Sequence, residues 1–410
     1  MPISFGIFTL DQNGGGYGII TDAQYRLYAP AAAASPGDVV TIWGTGLGPV
    51  NGDEATGPLP GDMTNVPVEV YVGLQPAELK YRGRSGCCAG LDQIAFVVPP
   101  DVIGCSVPVA VKIGDIVSNF VFLPIAPAPR VCSDPGWPSA GDVQHWLTKG
   151  SISIGNLDLE RSINPTGPNK MTLQIDDNGG GEFLRYSSAS VDSAYPFYSS
   201  VPGTCFVSAI HGNQTLTPAP FAPATLNAGA SIQITGSNGG RQLMYQGPGS
   251  ENPGTYSADL GDGPLPGATY PPFLDPGSYT ITGTGGPDIG AFTVTVTMPT
   301  ALNWTNSTIT TVPRSQGQII TWTGADPAAV VSVSGYAYSD VASSFSCFAR
   351  GRDGQPTIPP FVLLSMPPNS SVAGLSVGVQ TGPVPFTATG MDYGTVTAQV
   401  STANSAINFQ

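Results

Sequence analysis

Along most of the chain, apolar and polar side chains take turns. Phe292, Val294 and Val296 alternate with Thr293, Thr295 and Thr297, and Val68, Val70 and Val72 alternate with Glu69 and Tyr71. Ile232 and Ile234 flank Gln233, Ile320 and Trp322 alternate with Thr321 and Thr323, and Val331 and Val333 alternate with Ser332 and Ser334. A period of two belongs to a strand with one buried face. Turn signals separate the runs: Pro36-Gly37-Asp38, Asn238-Gly239-Gly240, Asp275-Pro276-Gly277 and Asp326-Pro327. Many short strands cut by frequent turns predict sandwiches or barrels. One segment, Ser139 to Lys149, has helical spacing. Ser139 is a capping residue, Asp142 follows three positions on, and Val143, Trp146 and Leu147 share a face.

Proline-rich seams divide the chain. Pro124-Ile-Ala-Pro-Ala-Pro129 closes a first unit, Pro218-Ala-Pro-Phe-Ala-Pro223 marks a second seam, and Met298-Pro299 a third. The expected organisation is a tail of a preceding domain or a docking strand at 1–27 and a sandwich at 28–129. A cysteine-bearing segment with the helix follows at 130–222, then sandwich units at 223–298 and 299–410. A chain of 410 residues is long enough for three or four domains.

Composition changes the picture in one respect. Charged residues are 10% of the chain, against about 25% in an ordinary globular protein, so Ser and Thr supply the polar surface, as in many extracellular β-proteins. The net charge of −14, with 14 basic residues against 28 acidic ones, excludes a phosphate-binding surface for nucleic acid and docking on anionic lipid. No run approaches the 18 or so apolar residues of a membrane-spanning helix. Met1-Pro-Ile-Ser has neither a basic n-region nor a long apolar core, so the expectation is either a missing leader or, favoured by the resemblance below, a piece of a longer polypeptide.

The six cysteines, Cys87, Cys88, Cys105, Cys132, Cys205 and Cys347, contain no CxxC pair. An even number in a Lys-poor, Thr-rich chain predicts disulfides and an oxidising compartment. Spacing does not fix the connectivity. Cys105 is expected to pair with Cys87 or Cys88, because these flank the single strand Ile94 to Val98, and Cys132 with Cys205. That leaves Cys347, in Ser344-Phe-Ser-Cys-Phe-Ala349, as a buried free thiol.

Residues 36 to 49, PGDVVTIWGTGLGP, resemble the opening of an IPT/TIG immunoglobulin-like domain. Pro36-Gly37-Asp38 turns into a strand, Val40 and Ile42 face the core, Thr41 faces out, and Leu47 plugs the end of the sandwich. Val107 to Gly114 and Val117 to Phe120 look like its last hairpin. Together with GIFTLDQNGGGYGII (6–20), YRGRSGCCAGLDQIAFVVP (81–99) and GCSVPVAVKIGDIVSN (104–119), the run is similar to an uncharacterised C-terminal domain family first described in Solibacter-type acidobacterial proteins. Cys132-Ser-Asp-Pro, FLDPGSYTITGTGG (273–286) and WTNSTITTVPRSQGQIITWTG (304–324) resemble further C-terminal parts of such proteins. The resemblance implies a secreted or surface protein, and it implies no activity and no catalytic residues.

The residues themselves offer little for catalysis. His145 and His211 stand near no GxSxG elbow, and Asp259 and Asp262 lie in Gly-rich stretches where Asp serves the backbone. Clustered hard oxygens make calcium the candidate metal. The two segments are Asp11-Gln-Asn13-Gly-Gly-Gly16 and Asp176-Asp-Asn178-Gly-Gly-Gly-Glu182, and Asp176, Asp177, Asn178 and Glu182 form the denser set. A ligand platform is expected at Tyr195, Phe197 and Tyr198, beside a second aromatic loop, Tyr270-Pro-Pro-Phe273. Trp43, Trp304 and Trp322 sit in strand patterns and read as core, and Trp137 as part of a joint between domains. The expectation is an all-β chain of tandem immunoglobulin-like β-sandwich domains with one short helix. Its role would be non-catalytic: an extracellular structural or adhesive protein that presents surfaces to a protein or polysaccharide partner. The alternative is the carbohydrate-binding accessory region of a larger secreted enzyme.

Overall fold

The structure is a computed structural model that describes residues 3–57, 59, 61–134, 138–166, 172–187, 201–211, 222–263, 271–370 and 372–410. The first body carries β1 (Gly6–Ile7), β2 (Ile20–Thr21), β3 (Val39–Thr45), β4 (Gly61–Asp62), β5 (Val68–Val72) and β6 (Gln75–Pro76). It continues with β7 (Glu78–Arg84), β8 (Asp92–Val97), β9 (Gly104–Ile113), β10 (Ile116–Val117) and β11 (Val121–Ile125). One sheet runs β1-β3-β8-β7-β4, with β2 also on β3. The other runs β6-β5-β9, and β10 and β11 share the far edge of β9. The order β1-β3-β8-β7 facing β6-β5-β9-β11 is the A-B-E-D and C′-C-F-G arrangement of the immunoglobulin fold. Alternation explains the core: Val40 and Ile42 of β3, Ile94 and Phe96 of β8, Val70 and Val72 of β5, and Val109 and Val111 of β9 all point between the sheets.

The first residues belong to this sandwich. Gly6 pairs with Thr45 and Ile20 with Ile42, so the segment 3–27 is its docked first strand pair. The approach is close enough to dictate sequence. Gly46 has φ +111°, and a Cβ there would run into the Ser4 carbonyl oxygen.

The second body begins with helix α1 (Ala140–Lys149), then β12 (Ser151–Thr166), β13 (Thr172–Ser187), β14 (Thr204–His211), β15 (Ala224–Thr225) and β16 (Ser231–Gly236). Next come β17 (Gly239–Tyr245), β18 (Thr255–Gly263), β19 (Gly277–Gly283) and β20 (Phe292–Met298). Four two-residue strands follow: β21 (Asn303–Trp304), β22 (Thr311–Val312), β23 (Gln318–Ile319) and β24 (Trp322–Thr323). The chain ends with β25 (Val330–Tyr338), β26 (Val341–Arg350), β27 (Thr357–Ile358), helix α2 (Pro360–Leu364), β28 (Val372–Phe386), β29 (Tyr393–Asn404) and β30 (Asn408–Phe409).

A single 13-stranded sheet, ordered β14-β26-β25-β28-β29-β12-β13-β18-β17-β16-β19-β20 with β15 beside β13, takes in most of this body. The segments 130–222, 223–298 and 299–410 therefore share one sheet instead of folding as three units. The parallel pairing of β12 with β29, from Ile154↔Tyr393 to Ile163↔Thr402, joins them. Pairing across so many residues leaves no local signature, and proline seams mark only turns. The sheet folds back on itself, with β20 lying across β28 and β29. The Gly290 N–H donates to the Thr389 carbonyl at 2.8 Å across that fold. Leu157, Leu159, Phe183, Val333, Phe345, Val377 and Val396 fill the interior. Fully burying each such side chain contributes about 1.5–3 kcal/mol.

Helix α1 has its capping box: the Asp142 N–H donates to Ser139 Oγ at 3.2 Å, and the Ser139 N–H donates to Asp142 Oδ2 at 3.1 Å. Trp146 is buried as expected, while the side chains of Val143 and Leu147 lie outside the described residues. Among the described residues, a further single helical turn, α2, starts on Pro360, where the fixed proline φ suits the first helical position.

The two bodies pack together. Phe361 of α2 stacks on Tyr71 at 4.1 Å between ring centroids and 14° between planes. Trp146, Ile152, Ile154 and Leu184 close over Tyr17, Cys105 and Cys132.

Candidate functional site

On β3, Val40 and Ile42 point inward, so the residue between Ile42 and Gly44 must point outward. That residue is Trp43, which is half-buried on the outer face of the first sandwich. This corrects its expected place in the core. Trp304 and Trp322 are core residues, each 4% exposed. Trp137 lies outside the described residues.

The ring of Trp43 is held by its indole N–H, which donates to Thr21 Oγ1 at 2.9 Å. Tyr25 leans over it with ring centroids 5.9 Å apart and planes at 42°. Phe8, whose backbone N–H donates to the Trp43 carbonyl at 3.0 Å, is 42% exposed at the adjacent strand. Gln93 stands opposite Trp43 in the β3–β8 register.

Tyr25 is 75% exposed, and its backbone has φ +62°. Left-handed backbone at a bulky non-glycine residue is strained and persists only where its surroundings enforce it. Asp22 does the enforcing. Its carboxylate accepts from the N–H of Gln24 at 2.8 Å, the N–H of Arg26 at 3.0 Å and Arg26 Nε at 2.7 Å. The backbone hydrogen bond from Arg26, with the guanidinium beside it, holds the Asp22 carboxyl below the usual carboxylate range. A tight, fully bonded turn thus fixes the backbone that carries an exposed aromatic ring beside a second ring held by its own hydrogen bond. Gln24, Arg26 and Gln93 provide donors and acceptors around them. Such a surface suits a ligand with C–H-lined faces and hydroxyl edges, because the negative face of an aromatic ring attracts polarised C–H groups.

The residues expected to hold calcium are placed otherwise. Asp176 to Glu182 is no loop but the middle of β13, paired residue for residue with β12. The glycines are there for packing: a Cβ on Gly179 would meet Leu243 at 2.7 Å. Asp177 faces the interior, fully buried, and accepts from Arg161 Nε at 2.7 Å and Nη2 at 2.8 Å. Asp176 accepts from Asn164 Nδ2 at 3.0 Å and from Gln174 Nε2 at 3.2 Å. Asn178 and Glu182 alternate with Asp177 along the strand, so the four side chains are parted between two faces of the sheet. Among the described residues, no group of three His, Cys, Asp or Glu is arranged to hold a metal. Asp11 accepts from Thr9 Oγ1 at 2.7 Å and from the Asn13 N–H at 3.0 Å, which closes its own turn.

The platform expected at Tyr195, Phe197 and Tyr198 lies outside the described residues, as does Tyr270. Phe273 is fully buried against Tyr279. His145 is exposed on α1, and the His211 side chain is outside the described residues.

The cysteine pairing also differs from expectation. Cys87 bonds to Cys88, Cys105 to Cys132 and Cys205 to Cys347, and no thiol is free. Cys105 does not reach Cys87 or Cys88, because the linker carrying Cys132 returns beside β9. Asp134 of that linker accepts the Cys105 N–H at 3.1 Å. Cys205 and Cys347 face each other across the β14–β26 ladder.

Sequence reading missed an acidic row on the outer face of the large sheet. Asp158 and Glu160 of β12 and Glu182 of β13 share that face, each with its pKa raised. Burial is the leading cause for all three, and the Asp158 charge adds to it for the two glutamates. Raised carboxylates contribute stability that is complete below the ordinary carboxylate range and lost as pH climbs through their shifted values. Asp158→Asn is therefore expected to stabilise the protein by about 0.5 kcal/mol at neutral pH, a small effect because Asp158 keeps solvent access. Melting curves at acid and neutral pH check this: the variant should match the parent in acid and exceed it at pH 7.

A cleft of about 430 Å³ lies between α1, β12, β13 and residues 390–392. Within it, Lys149 Nζ and the Ser153 N–H both donate to Asp392, at 2.7 and 2.8 Å, and Arg185 Nε donates to Ser153 Oγ at 3.2 Å.

Neither a family model nor a curated protein matches the chain. Among solved structures, the chain is similar to a Bacteroides ovatus SGBP-B from a mixed-linkage glucan utilization locus, in complex with a heptasaccharide. That likeness has 9% identity, covers 82% of this chain and 72% of that one, and has a TM-score of 0.17. The I9–I11 tandem of titin matches at 8% identity over 92% of this chain and 96% of that one, with a TM-score of 0.14. These values are too low to carry argument, and the immunoglobulin-like assignment rests on the strand order of the first sandwich. No helix among the described residues is long and apolar enough to cross a membrane.

Proposed function

We propose that this chain is a non-catalytic, secreted or cell-surface binding protein that takes polysaccharide on the outer face of its first sandwich. The observation that carries the reading is the Tyr25–Trp43 pair: two solvent-facing rings, one fixed by an indole hydrogen bond and the other by a strained, fully bonded turn. Packing does not require a tyrosine ring 75% exposed, so the strain there has a purpose outside the fold. Pre-oriented aromatic faces bind at low entropic cost. The disulfides fit an oxidising exterior, and the strand order of residues 3–125 is that of an immunoglobulin-like sandwich, the fold class to which an IPT/TIG-like unit would belong. The second body, packed against the first, acts as the rigid mount.

Calorimetry against a panel of soluble plant and microbial polysaccharides tests the reading. At least one is expected to bind. Trp43→Ala should weaken that binding about tenfold or more, and Trp43→Phe should retain part of it. If the panel gives no heat, or if the folded Trp43→Ala protein binds like the parent, this function is wrong.

A further inference from the structure

The hairpin between β7 and β8 ends in Ser85-Gly86-Cys87-Cys88-Ala89-Gly90, and the two adjacent cysteines are bonded to each other. The tip is closed without them. The Ser85 N–H donates to the Leu91 carbonyl at 2.8 Å, and Thr45 Oγ1 donates to the Gly90 carbonyl at 2.9 Å. At the base, the Arg84 guanidinium is held by Glu54 and Asp92. The stabilisation from a cross-link grows with the logarithm of the loop it closes, and this one closes no loop beyond its own two residues. It therefore holds nothing together that the hairpin does not already hold.

Its exposure sets it apart. Cys87 and Cys88 are both exposed, as are Gly86, Ala89 and Gly90 around them. The other bonded cysteines are 0%, 0%, 1% and 8% exposed for Cys105, Cys132, Cys205 and Cys347. Thiol–disulfide exchange requires a thiolate to reach a sulfur, and only this pair offers one at the surface.

We propose that Cys87–Cys88 is a thiol–disulfide exchange site for a dithiol reductant. A thiolate of the dithiol attacks one sulfur, the Cys87–Cys88 bond breaks, and the departing cysteine thiolate takes up a proton. The second thiol of the reductant, losing its proton, then attacks the mixed disulfide. It leaves as a cyclic disulfide and frees the second cysteine, which takes up the other proton. Two electrons pass from the dithiol to the cysteine pair, and the sandwich gains two neighbouring surface thiols with its strands unchanged. The site lies on the β7–β8 tip and does not depend on the polysaccharide reading.

The test treats the native, folded protein with dithiothreitol, traps thiols with iodoacetamide at intervals, and maps the labelled peptides by mass. Cys87 and Cys88 are expected to be labelled together, at least about tenfold faster than the other four cysteines. The Cys87→Ser/Cys88→Ser protein is expected to melt as the parent does and to take up no label over the same interval. Simultaneous opening of all three bridges, or earlier opening of either buried one, would overturn the proposal. So would a clear drop in the melting point of the double variant, since that would make the bridge a structural clamp.

Discussion

Asp177→Ala is expected to destabilise the protein by roughly 3–5 kcal/mol, the usual cost of leaving one partner of a buried ion pair uncompensated. Asp177 is fully buried on β13, directly opposite Arg161 of β12. Its two oxygens take two hydrogen bonds from Arg161 and two more from the backbone N–H groups of Phe273 and Leu274, at 2.6 and 2.7 Å. Burial opposes the charge on Arg161, but Asp177 and Asp275 outweigh it and raise its pKa. Alanine removes the acceptor for all of these donors at once. The guanidinium keeps only Asp275, at 2.8 Å and half in solvent, and the two amides keep nothing in its place. Urea or guanidinium unfolding of parent and variant measures the effect. Asp177→Asn, which preserves volume and one acceptor, should fall between them. A shift below about 1 kcal/mol for the alanine protein would mean that water enters and satisfies the donors.

The first sandwich repeats the arrangement. Asp92, also fully buried, binds Arg84 and accepts the N–H groups of Gly46 and Leu47, both at 2.8 Å. Arg84 reaches on to Glu54 as Arg161 reaches on to Asp275. In each body an arginine and an aspartate on adjacent strands anchor the backbone of a connecting loop. In both bodies the buried charges serve to fix loops.

Much of this architecture could be read from alternation, because burial of one face imposes a period of two whatever the distant partners are. The β20 run from Phe292 to Met298 follows it residue by residue. The same parity put Val40 and Ile42 inside and therefore Trp43 outside. Reading Trp43 as core followed residue type where position was the better guide. What could not be read was pairing between remote segments. β12 sits between a near neighbour, β13, and a far one, β29, and nothing in either sequence names the other. Asp176-Asp-Asn-Gly-Gly-Gly reads locally as a turn. Gly179 and Gly181 are instead the positions where Leu157, Leu243 and Leu260 press against a strand, and Gly180 lies under the Asp158 carboxylate. The disulfide map failed for a related reason: Cys205–Cys347 records a strand pairing that only the assembled sheet creates, and Cys105–Cys132 records the path of a linker back beside β9.

Cys205–Cys347 is the bridge with most to lose. It spans 142 residues and links the edge strand β14 to β26 at directly opposed positions. Closing a loop of that length removes denatured-state entropy worth up to about 5 kcal/mol, and measured values run below the ideal. Cys205→Ala/Cys347→Ala is therefore expected to lower stability by roughly 3–5 kcal/mol, chiefly by enlarging the unfolded ensemble. The packing of Val207 and Phe345 beside it should survive in the folded state. The signature to seek is a lower denaturant midpoint with native circular dichroism retained below it. The ladder from Thr204↔Phe348 to His211↔Val341 supplies the competing possibility. If backbone pairing and apolar contact alone hold β14, the midpoint will not move, and the bridge is incidental. If it moves as expected, the bridge acts on the unfolded chain, and the oxidised protein is more stable than the reduced one by that margin although both fold to the same sheet.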